Sequence, residues 1–82
     1  MQTTILIADD DVELSALLKE YFEGEGFFVR LAHDGRVALD EARKPGLDLI
    51  VLDVMMPEMN GMDVLRELRK ESRLPVIMLT AR

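Results

Sequence analysis

Apolar and polar positions along the chain follow two alternating rhythms. Short runs of continuous apolar, β-branched-rich residues fall at Thr3–Ala8, Leu49–Leu52 and Leu74–Leu79. Runs without polar alternation fit strands buried on both faces, as in a parallel sheet. Phe27–Leu31 is a further short strand, and its Arg30 suggests a place at the sheet edge. Between these runs the spacing lengthens to the helical period. Leu14, Leu17, Leu18 and Tyr21 lie at i, i+3, i+4 and i+7, predicting a helix over about Val12–Glu23 with that stripe turned inward. A weaker helix is predicted over Arg36–Arg43, with Val37, Ala38 and Ala42 available to the core. Another runs from Gly61 to about Glu71, with Met62, Leu65 and Leu68 inward.

Punctuation agrees with this division. Gly24 and Gly26 stop the first helix, Asp34-Gly35 makes a turn, and Pro45-Gly46 separates the second helix from the next strand. Pro57 and Asn60-Gly61 place a loop straight after Asp53. Pro75 is tolerable only near a strand start or at an edge. The order β-α-β-α-β-α-β implies an α/β fold with a parallel sheet, right-handed crossovers and helices on both faces.

Eighty-two residues allow one small domain, 1–82. With four aromatics, the core must be aliphatic and methionine. No cysteine is present, which excludes disulfides, thiolate chemistry and cysteine metal sites. No apolar run reaches membrane-spanning length and no signal peptide opens the chain, so a cytoplasmic protein without a membrane partner is expected. A net charge of −6 argues against direct nucleic-acid binding, which needs a basic surface.

The acids matter more for where they fall. The first strand stops on Asp9, Asp10 and Asp11, and the third on Asp53. In an open α/β sheet the carboxyl ends of the strands form the ligand-binding edge. Capping of the following helix accounts for one aspartate in each place, and alone that reading would be preferred. Three acids in a row exceed it. If the first and third strands are neighbours, Asp9, Asp10 and Asp53 converge and repel, a conflict that a hard divalent cation removes. A main-chain carbonyl in the loop after Asp53 and the Thr80 hydroxyl at the end of the fourth strand could complete a site. A carboxylate nucleophile, a metal and a hydroxyl donor suit the acceptance of a phosphoryl group.

Ile-Ala-Asp9-Asp10-Asp11, then Leu-Asp53-Val-Met-Met-Pro57-Glu-Met-Asn60-Gly61, then Pro75-Val-Ile-Met-Leu-Thr80-Ala81-Arg82 resembles the receiver domain of bacterial two-component response regulators. The resemblance runs the whole length and is strongest to the class that controls winged-helix transcription factors. It implies a flavodoxin-like (CheY-like) fold with strand order 2-1-3-4-5. It also implies Asp53 as phosphoacceptor, with Mg2+ bound directly by Asp10, partly through water by Asp9, by Asp53, and by the backbone carbonyl of Met55. Thr80 would bond a phosphoryl oxygen and switch, Ala81 would leave room beside it, and Asp11 would cap the helix. The phosphodonor would be a sensor histidine kinase. DNA would be reached only through an effector domain absent from this chain.

The family's domain continues with another helix, a fifth strand carrying a lysine, and a last helix. The chain is therefore expected to be a truncated receiver. Its fourth strand would be an edge on which Val76, Ile77, Met78 and Leu79 form an exposed, uncharged run. A symmetric homodimer is expected, in which two such strands pair or the chains exchange elements to cover the same surface. The alternative function is a receiver fragment or designed fragment without signalling activity. Other readings are weaker. His33 is expected to be a solvent-exposed loop residue, and Met55, Met56 and Met59 core or loop filler. An aspartate-nucleophile phosphatase wants a second aspartate where Met55 stands, and no G-x-G-x-x-G follows the first strand to bind a dinucleotide.

Overall fold

A computed structural model describes residues 2–79. The element order is β1 (Thr4–Ala8), α1 (Val12–Gly24), β2 (Phe28–Ala32), α2 (Gly35–Arg43), β3 (Leu49–Asp53), α3 (Gly61–Arg69) and β4 (Val76–Leu79). All strands are parallel, in the order β2-β1-β3-β4. The strand order reverses between β1 and β3, which opens a crevice at their carboxyl ends.

Register decides which side chains share a face. Leu6 stands beside Ile50 and Ala8 beside Leu52. These four pack with Ala38, Leu39 and Ala42 of α2 and with Val64 and Leu68 of α3 in one buried cluster. Ile5 and Ile7, also buried, belong to the opposite face, where α1 crosses β1 and β2. Helices thus cover both faces of the sheet. Alanines at 8, 32, 38 and 42 keep the distance between α2 and the sheet short.

Each helix starts on an Asx cap. Asp11 accepts from the Leu14 N–H at 2.9 Å, Asp34 from Val37 at 2.8 Å and Asn60 from Asp63 at 2.9 Å. Asp11 is the cap that was expected of it. Arg30 lies on the outer strand β2, as anticipated, and its Nη2 donates to the Pro45 carbonyl at 3.2 Å. Pro75 lies just before β4, and its carbonyl accepts from Ile50 at 3.0 Å.

The helical stripes need correction in phase. On α1, Leu17 and Tyr21 are 63% and 62% exposed, while Ser15 is buried and Leu14, Leu18 and Phe22 are half-buried. Apolar residues occupy more than one face of α1, and its seat across β1 and β2 selects a stripe rotated from the expected one. Val37 and Met62 are exposed as well. Ala38 and Ala42 on α2 and Leu68 on α3 face the core as expected, and Leu39 and Val64 take the places expected of Val37 and Met62. In β4 only Ile77 is exposed. Val76 and Met78 pack on the α2–α3 cluster, because alternation sends successive side chains to opposite faces. The expected exposed run of four reduces to one residue.

Candidate functional site

β1 and β3 are neighbours, so their terminal acids meet. Asp9, Asp10 and Asp53 each offer a carboxylate oxygen, and these oxygens lie within 4.8 Å of one another. Opposed oxygens in an octahedron of 2.0–2.1 Å bonds stand about 4 Å apart, so the three would share a small hard cation by drawing in slightly or through water. Asp9 and Asp53 are buried and Asp10 is exposed. The trio is thus a wall of two fixed acids with one at the mouth.

Each buried acid is held by its own turn. Asp9 Oδ1 accepts from the Asp11 N–H at 2.9 Å, and Asp53 Oδ1 from the Met55 N–H at 3.4 Å. Asp53 Oδ2 is buried with no hydrogen-bond partner among the described residues. A buried carboxylate oxygen left unpaired is costly, and a cation or an incoming electrophile is what relieves it. Burial pushes the Asp9 carboxyl above its ordinary range. The Asp11 N–H opposes that shift, and the charges of Asp53, Asp10 and Asp11 add to it. The donor set is all oxygen and anionic, which fits magnesium.

The loop 54–60 is closed across its ends and held at its middle. The Gly61 N–H donates to the Val54 carbonyl at 2.8 Å, and the Gly35 N–H at the start of α2 donates to Pro57 at 3.1 Å. Neither glycine can carry a side chain: a Cβ at Gly61 would overlap the Asp53 carbonyl, and one at Gly35 the Met59 carbonyl. Glu58, inside the loop, has φ +70°. Met55 is exposed beside Asp53.

Asp9, Asp10, Asp53 and Met55 are therefore brought to one edge. Thr80 and Ala81 lie outside the described residues. His33 corrects its expectation: it is half-buried, and its Nδ1 lies 3.1 Å from the Asp9 carbonyl. The β2–α2 turn ends beside the β1 terminus, which the sequence spacing does not reveal. Ser15, also buried against Asp9, gave no signal beyond a hydroxyl inside a helical stripe. A groove of about 370 Å³ between α2 and α3, lined by Arg36, Arg43 and Arg66 among others, contains none of the trio.

A doubly wound parallel sheet with an acidic trio at the ends of its first and third strands is the architecture of receiver-type signalling domains. Residues 5–82 match the response regulator receiver domain, and the chain belongs to that family. It is 58% identical over 78 residues to the transcriptional regulatory protein CpxR of Escherichia coli K12, covering 95% of this chain and 33% of CpxR. The chain thus spans about a third of the length of the curated relatives it matches. The structure of the Francisella response regulator 1452 receiver domain superimposes with a TM-score of 0.91 at 39% identity, covering 96% of this chain and 66% of that one. TrrA of Thermotoga maritima, solved in complex with Mg(2+)-BeF, gives 0.89 at 36% identity, covering 98% and 70%. The CheY-like fold and the family expected from the motifs are both borne out.

Proposed function

We propose that Asp53 accepts a phosphoryl group from a phosphohistidine on a sensor histidine kinase. Mg2+ would be held by Asp9, Asp10, Asp53 and the backbone carbonyl of Met55. The observation that carries this reading is Asp53 Oδ2, buried within the acidic trio and unpaired among the described residues. Asp53 ends a buried strand, so its carboxylate is positioned before the donor arrives. Its oxygen attacks phosphorus; a P–O bond forms as the P–N bond to the donor histidine breaks, and the imidazole leaves with the electron pair. An ionised carboxylate needs no general base for this step. Bound magnesium supplies charge neutralisation for the carboxylates and phosphoryl oxygens. TrrA's complex with Mg(2+)-BeF supports the assignment by similarity. Thr80 is assigned, from the family resemblance, to a phosphoryl oxygen.

In this reading the chain takes part in its own phosphorylation and is not a turnover enzyme. It acts in the cytoplasm and meets DNA only through an effector domain outside these 82 residues. No described helix is long and apolar enough to cross a membrane. Self-association is assigned to β4, an outer strand of the described sheet with Ile77 exposed on it.

Intact-mass analysis after treatment with acetyl phosphate and magnesium tests the reading. The chain gains one phosphoryl group and Asp53→Asn gains none. A phosphorylated Asn variant would place the acceptor elsewhere.

A further inference from the structure

Two donors from different elements converge on one backbone atom, the carbonyl oxygen of Asp9. Ser15 Oγ, on α1 and wholly buried, lies 3.3 Å from it. His33 Nδ1, in the turn between β2 and α2, lies 3.1 Å from it. A carbonyl only accepts, so the His33 proton resides on Nδ1. The Asp9 N–H is taken as well, donating to the Ala32 carbonyl at 3.0 Å.

The Asp9 carbonyl belongs to the peptide plane shared with Asp10. Holding that plane sets the direction of both side chains at once. Without it, mutual repulsion among Asp9, Asp10 and Asp53 would turn the exposed turn outward. Packing alone does not explain the two donors. Alanine would serve the helical stripe better than Ser15, whose buried hydroxyl is tolerable only because it is bonded.

We propose that His33 and Ser15 are positioning residues that fix the Asp9–Asp10 peptide so that the two carboxylates meet Asp53 at metal-binding separation. This rests on the reading of the trio as a magnesium site. Groups that orient metal ligands commonly change affinity about 10- to 100-fold when removed.

Amide-shift titration with magnesium, run on the 82-residue chain and its variants, tests the assignment, alongside thermal unfolding in EDTA. His33→Leu keeps bulk and loses the donor; its Kd rises about tenfold while the metal-free midpoint stays near that of the unsubstituted chain. His33→Asn, whose amide N–H stands where Nδ1–H stood, recovers most of the affinity. A Leu variant within about twofold of the unsubstituted chain, or an Asn variant as weak as Leu, overturns the proposal. If His33→Leu does not fold, Ser15→Ala against Ser15→Thr gives the same pair of outcomes. Binding that survives Asp10→Ala defeats the magnesium reading itself, a result separate from either.

Discussion

Gly61 lies against the main-chain carbonyl of Asp53, so closely that the smallest side chain would overlap it. The first residue of α3 therefore sets the backbone of the proposed phosphoacceptor. Gly61→Ala forces α3 and the end of β3 apart. Overpacking of this kind costs about 1–3 kcal/mol, and each kcal/mol lowers the melting temperature of a chain this size by about 4–8 °C. Thermal denaturation gives the loss. An unchanged midpoint would show that the loop yields without strain.

Burial disfavours a charge on Asp9. Its raised pKa means the folded chain holds this proton more tightly than the unfolded chain. Between the ordinary value of 3.8 and the raised one, metal-free stability contributed by Asp9 falls as pH rises, and above that window the penalty is complete. Asp9→Asn keeps an oxygen for the Asp11 N–H and removes the charge. At neutral pH without metal it melts higher, by about 4 °C or more for each kcal/mol relieved. If the trio holds magnesium as proposed, the ion raises the midpoint of the unsubstituted chain and not that of Asp9→Asn. A lower metal-free midpoint for Asp9→Asn contradicts the desolvation argument.

Glu58 adopts the left-handed backbone region inside a loop whose Met59 N–H closes on the Pro57 carbonyl at 2.8 Å. A non-glycine residue there stores about 1–3 kcal/mol. Glycine relieves that strain but loses more entropy on folding, about 0.5–1 kcal/mol. Glu58→Gly is therefore expected to stabilise the chain by about 1 kcal/mol in urea denaturation. Destabilisation would mean that the Glu58 side chain makes a favourable contact outweighing the strain.

The self-association assigned to β4 has a clean probe in Ile77, which is 52% exposed, whereas Met78 packs on the core. Ile77→Lys places a charge on the outer strand without opening a cavity and should shift the chain towards monomer. Met78→Lys sets a charge against the α2–α3 cluster and should destabilise the fold. Sedimentation at several concentrations follows the first and circular dichroism the second. A monomeric unsubstituted chain at high concentration removes the dimer from the reading.

The element order and the acid trio are legible in the sequence alone, for a physical reason. Buried parallel strands need uninterrupted apolar runs, so Ile5–Ala8 and Leu49–Leu52 announce themselves, and an acid ending each run marks the binding edge. Asx residues before helices are equally local signals, because a cap bonds an N–H three residues on; Asp11 bonds Leu14. Which face of α1 is buried was not legible. Leu17 is as apolar as Leu14 and Leu18, Tyr21 continues the same stripe, and only the helix's seat on β1 and β2 chooses between them. His33 and Ser15 were missed because they lie 24 and 6 residues from Asp9 and meet it through tertiary packing. Hydrophobic periodicity records which residues leave water. It does not record which main-chain oxygen a buried donor will find. That pairing exists only once β1, α1 and the β2–α2 turn have been brought together.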